Sequence, residues 1–452
     1  MYGGANVSAV SPAAGLRPAA VRARSLVLVV TGGLVIFALA LALSLVLYRY
    51  PQPLVVLVGV GFALVALLAL ALARYDAAVV VGVLLLGVVR IEPAPTDFVF
   101  AVVIAVAVVT GRFNLRGAPR AATALIGAFL ALNLLAIIGV VDAVRAATFF
   151  SITLYLAVFA LWLAGFVRSE RRARLIVVSY LLVAVTSAAV SSLALFVPVP
   201  AHSLIVYGGA RAQGFFKDPN VFGPFLVPAA LILLQEVVSP RLLRMRATAK
   251  LVLFFALTLG VVFSYSRAAW LNLAVGIAAL LLVTLFQRGG ATKVPILLAI
   301  LFSAAVALTA AVALTGSATF LVERARLQSY DTQRFSAQAA GIKPAEEYPL
   351  GVGPGQFESV APISAHNTYV RALAEEGVLG LLVVTTLMVV TLAWATRSAL
   401  LGRDTYGVGP GALIGAWCGI AVNGMFVDTL HWRHLWLVAA LIWAGAVRRP
   451  VR

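Results

Sequence analysis

The chain has 452 residues, of which 63% are hydrophobic and only 11% are charged. Soluble domains average about 45–50% apolar and about 25% charged residues, so this composition excludes a water-soluble fold. The formal net charge is +18, a value that would suit nucleic-acid binding only if the basic residues formed one patch. They are instead spread between apolar runs, and no nucleic-acid partner is expected.

Apolar runs of helical length follow one another along the chain. A membrane-spanning helix needs about 20 such residues, and these runs are continuous rather than alternating, which favours helices over a barrel. We predict an all-α, polytopic membrane protein with about 12–14 transmembrane helices. The predicted spans are 25–48, 53–73, 76–91, 95–110, 121–141, 147–167, 173–197, 219–238, 247–264, 267–286, 293–315, 377–396, 408–427 and 432–447.

The distribution of basic residues predicts the topology. With a cytoplasmic N-terminus and alternating spans, most of the 34 Lys and Arg residues fall on the inside, as the positive-inside rule requires. Both termini are then cytoplasmic, and the first span is expected to be an uncleaved anchor. The predicted segments are a cytoplasmic 1–24, transmembrane helices over 25–197 and 198–315, a large external loop subdomain at 316–376, and C-terminal transmembrane helices at 377–452.

The first long outer loop, near 198–218, contains Arg211 in a glycine-rich sequence. Asp218 followed by Pro219 is typical of a helix start, because Asp can cap the free N–H groups and Pro fits the first turn. A flexible turn ahead of a helix N-terminus is a plausible anion site, and arginine matches phosphate oxygens. The alternative is an arginine that reaches lipid headgroups.

Arg267 lies in SYSRAAW, where two apolar runs meet with almost no loop. A charge at this depth is costly, so we expect it to contact a polar cavity or partner and to be functional. The alternative is an interfacial anchor beside Tyr265 and Trp270.

The second long loop, near 316–376, is the only segment large enough for an extramembrane subdomain. Its TFLVERARLQSYDTQRFSAQ stretch predicts an amphipathic helix, either at the interface or as a solvated cap. At its end, Asn367 is predicted to cap a helix that continues into the membrane. His366 precedes this cap, and its side chain suits base catalysis near neutral pH, although a helix-entry residue bonded to backbone is the alternative.

No metal site is predicted. His431 and His434 are one turn apart, but no third ligand is near, and Trp432, Arg433 and Trp436 around them are typical of an interface belt. The single cysteine, Cys418, lies in an apolar span.

Four segments in order resemble the O-antigen ligase and polymerase superfamily of bacterial envelope glycan assembly, with a GT-C-like polytopic architecture. They are RAQGFFKDPNVFG at 211–223, SYSRAAW at 264–270, GVGPGQF at 351–357 and HNTYVRALAEEGVLG at 366–380. The resemblance covers about residues 200–400.

The resemblance implies a glycosyltransferase in the cytoplasmic membrane that moves a glycan from undecaprenyl pyrophosphate to an acceptor hydroxyl on the outer face, without metal or other cofactor. Arg211 and Arg267 would bind the pyrophosphate, and His366 would deprotonate the acceptor. Asp218, Asn220, Tyr369 and Glu376 match family positions of less certain role.

Two other functions stay open at this point. A polymerase of lipid-linked repeat units would share the same residues, because only the acceptor, which is a glycan, lipid or protein, distinguishes it from a ligase. A transporter or flippase of an anionic lipid-linked glycan would also use arginines in a cavity. However, we find no internal repeat, and the candidate residues all lie on one side.

Overall fold

A computed structural model describes residues 54–448, except 139, 288, 327, 344–346 and 362. The predicted cytoplasmic segment 1–24 and the first predicted span, 25–48, lie outside the described residues. Regular structure in the described chain is almost entirely helical, with only four two-residue strands. This confirms the all-α fold class.

Thirteen of the described helices overlap the remaining predicted spans, and four lie in the two long loops predicted between spans. They are α1 (Leu54–Ala73), α2 (Tyr75–Leu84), α3 (Pro95–Val109), α4 (Arg120–Ala136), α5 (Ala143–Phe166), α6 (Glu170–Leu193), the short α7 (His202–Ile205), α8 (Pro219–Val238), α9 (Ala247–Phe263), α10 (Arg267–Phe286), α11 (Gly290–Leu314), α12 (Ala318–Ala325), α13 (Ser329–Ile342), the short α14 (Phe357–Val360), α15 (Thr368–Leu400), α16 (Pro410–Asn423) and α17 (Arg433–Val447). Two 3-10 turns, Leu85–Gly87 and Leu115–Gly117, interrupt the loops.

Six of these helices, α5, α6, α8, α10, α11 and α15, are long and apolar enough to cross a membrane, and seven shorter apolar helices match other predicted spans. In α15, Gly377 has φ of +71°, which is not helical. This residue divides α15 into a first part, 368–376, and a second part, 378–400, which contains most of the predicted span. The chain is therefore a multi-pass membrane protein.

Contacts among the described residues divide the chain into two units. Within the described residues, the smaller is 54–78 with 101–113, and the larger is 79–100 with 114–448. Every candidate site residue belongs to the larger unit. At its centre α8 is almost completely buried and packs against α6, α9, α10 and α16.

The strands are β1 (Val88–Val89), β2 (Val206–Tyr207), β3 (Arg211–Ala212) and β4 (Phe215–Phe216). β2 and β3 form an antiparallel hairpin, and β1 pairs with β4 in parallel. The hairpin places Arg211 beside the start of α8.

The predicted interface belt near the last helix is wrong. Trp432 and Trp436 are buried, and Arg433 is only 9% exposed. The Arg433 guanidinium binds both carboxylate oxygens of buried Asp97, with Nε 2.7 Å from Oδ1. Because this partner lies inside the protein, the arginine does not need contact with lipid headgroups.

Candidate functional site

Arg211 is held between the hairpin, α8 and the turn before α10. Its Nε donates to the Ser264 carbonyl at 3.0 Å, and its Nη2 donates to Asn220 Oδ1 at 3.3 Å. Asp218 caps α8 as predicted, since its Oδ1 accepts from the Asn220 N–H at 2.7 Å. The cap therefore orients Asn220, and Asn220 orients the guanidinium.

Arg267 is the first residue of α10, directly after the turn that Arg211 binds. Tyr265 in this turn has φ of +50°, and Ser266 caps the helix through the Ala269 N–H. A helix N-terminus carries partial positive charge, so a cation there is unfavourable by itself and an anion is favoured. The turn thus places two arginines, Arg211 and Arg267, at a site suited to a negative ligand.

The long loop packs onto this turn. Arg267 Nη2 donates to Asp331 Oδ1 at 2.6 Å and to Oδ2 at 2.8 Å, and Nη1 donates to the Arg326 carbonyl at 3.0 Å. The ring of Phe320 in α12 meets Tyr265 edge-on, with centroids 4.6 Å apart. Arg267 therefore has a charged protein partner, the carboxylate of Asp331.

The predicted single amphipathic helix of this loop is instead two helices, α12 and α13. They are separated because Gln328 and Asp331 form a capping box that starts α13, with the Gln328 N–H donating to Asp331 Oδ2 at 2.8 Å. The same carboxylate binds Arg267. The pKa of Asp331 is lowered: burial opposes this, but the hydrogen bonds from Arg267 and from the Gln328 N–H outweigh it.

Three arginines surround the ring of Tyr330 in α13. The guanidinium carbons of Arg267, Arg324 and Arg334 lie 5.9, 5.7 and 4.9 Å from its centroid, within cation–π range. Sequence analysis did not identify Tyr330, Asp331, Arg324 or Arg334 as site residues. Their mixture with apolar residues indicated only an amphipathic helix.

Arg211 belongs to the same positive cluster. Its pKa is lowered to about 10, first because burial removes it from water and second because the charge of Arg324 is near. Arg324 Nε is buried and has no hydrogen-bond partner in the described chain. A guanidinium with an unmet donor beside other arginines can bind an anion.

His366 lies beside the cluster in a strained backbone conformation. Its φ is +45°, a region that costs a residue with a Cβ about 1–2 kcal/mol. Burial lowers the pKa of its imidazole, the charges of Arg334 and Arg371 lower it further, and Asp218 and Asp428 raise it. No hydrogen bond to the His366 ring occurs within the described residues, so the neutral imidazole has a free nitrogen.

The residues that follow His366 are mainly structural. Asn367 caps α15 as predicted, accepting from the Tyr369 N–H at 2.9 Å and the Val370 N–H at 3.1 Å. The Tyr369 hydroxyl donates to the Ala421 carbonyl at 2.9 Å, which ties α15 to α16. Tyr369 thus supports the position of His366 through the backbone.

The two adjacent glutamates of α15 differ sharply. Glu375 accepts from the Gly355 N–H at 2.8 Å through Oε2 and from the Phe357 N–H at 3.2 Å through Oε1. Glu376 is 4% exposed, makes no hydrogen bond to the described residues, and lines a small cavity with Asp428 and His431.

The GVGPGQF segment is a backbone clamp on α15. The Val352 N–H donates to the Ala374 carbonyl at 2.8 Å, and the Gly353 N–H donates to the Glu375 carbonyl at 2.9 Å. Gly351 and Gly353 have φ of +80° and +100°, and a Cβ on Gly351 would clash with the Glu375 backbone. This sequence motif therefore positions the helix that follows His366.

No cluster of three His, Cys, Asp or Glu side chains with metal-binding geometry occurs in the described chain. His434 stacks on Trp432 with ring centroids 4.9 Å apart, and His431 contacts Thr153 Oγ1 at 3.3 Å. The two histidines lie in different surroundings.

A search of curated proteins finds no match to the chain. Residues 252–385 match the family model described as O-antigen ligase. The matched range includes Arg267, the long loop and His366. The match confirms the resemblance for this part of the chain, which is similar to the O-antigen ligase family.

Proposed function

We propose that the protein is a metal-independent, inverting glycosyltransferase that moves a glycan from a polyprenyl pyrophosphate to an acceptor hydroxyl. The observation that carries the proposal is the junction of Arg211 with the turn that begins the helix of Arg267. It brings two separate sequence segments, each with an arginine, to one helix N-terminus beside His366.

Arg211 and Arg267 are the donor-binding residues in this proposal. When the bond between the anomeric carbon and the pyrophosphate oxygen breaks, negative charge grows on the leaving group. Fixed guanidinium groups in a water-poor site stabilise that charge, and loss of one such donor typically costs on the order of 10²–10³ in rate. Asp218 and Asn220 support the reaction by orienting Arg211.

His366 is the proposed base. The acceptor oxygen attacks the anomeric carbon, its proton passes to the imidazole, and the polyprenyl pyrophosphate leaves from the opposite face, so the anomeric configuration inverts. A base of this kind contributes about 10²–10⁴ in rate. The lowered pKa of His366 keeps the ring neutral and able to accept the proton near pH 7.

The orientation follows from charge. Since most basic residues between the spans fall on one side, we place both termini in the cytoplasm and the site on the outer face. The acceptor is a glycan, a lipid or a protein, and its identity separates a ligase from a polymerase. Glu376 lines a cavity with Asp428, whose charge acts on His366, and we propose that it supports the acceptor side.

The test is transfer by purified, reconstituted protein with a defined polyprenyl-pyrophosphate glycan and candidate acceptors. We expect His366→Ala to abolish transfer while donor binding persists, and Arg211→Ala and Arg267→Ala to weaken both. His202→Ala, in the other loop, is the matched control and should transfer normally. Normal transfer by the His366 variant, or retention of the anomeric configuration, would overturn the mechanism. Donor that crosses vesicles without cleavage would identify a transporter instead.

A further inference from the structure

Within the described residues, no hydrogen bond or ion pair accounts for the positions of two arginines of the long loop. Arg324 and Arg334 lie on different helices, α12 and α13, yet both are directed to the Tyr330 ring. Like charges repel, so such a gathering is unfavourable unless an anion neutralises it. Asp331 does not neutralise it fully, because its carboxylate is already bound by Arg267 and by the Gln328 N–H.

We propose that Arg324 and Arg334 complete, with Arg211 and Arg267, a four-arginine site around Tyr330 that binds the diphosphate of the lipid-linked donor. This inference rests on the proposed function and extends it to residues for which no role has been assigned. The four arginines come from three parts of the chain: the β2–β3 hairpin, the start of α10 and the long loop.

The charges of the site match such a ligand. Two carboxylates lie near the four arginines: Asp331 binds Arg267, and the charge of Asp218 acts on Arg211. The arginines exceed these carboxylates by two charges. A diphosphate esterified at both ends carries about two negative charges. A monophosphate ester linkage would leave the site positive, so the arrangement favours a diphosphate over a monophosphate.

Unused donors point in the same direction. The buried Nε of Arg324 has no hydrogen-bond partner in the described chain. Arg211 uses Nε and one terminal nitrogen for protein contacts, which leaves Nη1 free of hydrogen bonds to the described residues. Phosphate oxygens are the acceptors that a planar guanidinium matches best.

Arg334 also links the site to the base. Its guanidinium lies 4.9 Å from the Tyr330 centroid, and its charge acts on His366. A diphosphate bound at the cluster would therefore lie near His366.

The test measures binding of undecaprenyl pyrophosphate that carries a glycan, with the same glycan on undecaprenyl phosphate for comparison, to the full-length protein in phosphatidylcholine nanodiscs. We expect Arg324→Gln and Arg334→Gln each to raise the Kd for the pyrophosphate lipid about 10- to 100-fold, the value of one hydrogen bond to a charged group. The ratio of the affinity for the pyrophosphate lipid to the affinity for the monophosphate lipid should fall in the same variants. Lys343→Gln, which removes an exposed charge after α13, is the control and should change the Kd less than about twofold.

A second pair of variants guards against misfolding. Arg324→Lys and Arg334→Lys keep the charge and lose the planar fork, and we expect them to raise the Kd about three- to tenfold. Wild-type affinity in all four variants, with binding lost in Arg211→Gln and Arg267→Gln, would overturn the four-arginine site and leave the proposed function standing. A wild-type protein that binds both lipids equally would overturn the proposed function, and this inference with it.

Discussion

The contrast between Glu375 and Glu376 gives the sharpest test of how the site is held. Glu375 accepts two backbone N–H groups of the GVGPGQF segment, and its Oε1 lies 3.8 Å from Arg371 Nε. Glutamine offers one acceptor oxygen and one donor NH₂, so Glu375→Gln leaves one buried N–H without an acceptor. Such a group costs about 1–3 kcal/mol, and loss of the charged acceptor adds to it, so we expect roughly 2–4 kcal/mol of destabilisation.

Arg371 does not add a large further cost, because it keeps Glu358 at 3.1 Å and Asp428 at 3.3 Å. Glu376→Gln is the matched control: the neighbouring carboxylate has no hydrogen bond within the described chain, so we expect less than about 1 kcal/mol of change. Thermal unfolding in detergent, with SDS titration, measures both variants. Equal stability of the two variants would refute the assignment of Glu375 as the acceptor that holds the clamp.

Three further results are expected. The acidic limb of kcat/KM should lie below about pH 6.5, because the pKa of His366 is lowered and the base is lost only as pH falls through that pKa. Arg334→Gln removes a charge that lowers this pKa, so it should move the limb to higher pH. A pH–rate profile that does not move would contradict the effect of Arg334 on His366. Arg433→Met should cost about 3–5 kcal/mol by leaving the buried Asp97 carboxylate without a cation. The double variant with Asp97→Leu should recover only part of this loss, because Asp97 also accepts the Ala94 N–H at 2.7 Å, and unfolding midpoints will show it. Transfer should be unchanged by EDTA, and a rate that falls with the chelator and returns with a divalent cation would contradict a metal-independent mechanism.

The helices were predictable from sequence because hydrocarbon imposes a simple rule on length and composition. The bounds of α8 and α10 agree with prediction at both ends. The caps of α8 and α15 were also predictable, since Asp218 and Asn367 act on N–H groups two or three residues away.

Pairing across long separations was not predictable in the same way. Arg267 and Asp331 are 64 residues apart, and Arg433 and Asp97 are 336 apart. The sequence around Asp331 or Asp97 contains no pattern that identifies the arginine it binds. For this reason the sequence predicts an interfacial position for Arg433 and only an amphipathic helix for the arginines of the long loop. The two-helix form of the long loop was missed because its capping box uses Gln328 and Asp331, a weaker signal than the Ser or Thr box.

The family match begins at residue 252, after the helix around which the larger unit is built. α8 ends at Val238 and is buried against α9, α10 and α16, of which α10 lies inside the matched range and α9 lies mostly inside it. Arg211 also lies ahead of that range. A fragment limited to 252–385 would lack α8, which packs against α9 and α10, and would contain only part of the binding site. The matched sequence is therefore part of a larger packed structure, and shorter expression fragments should not reproduce its chemistry.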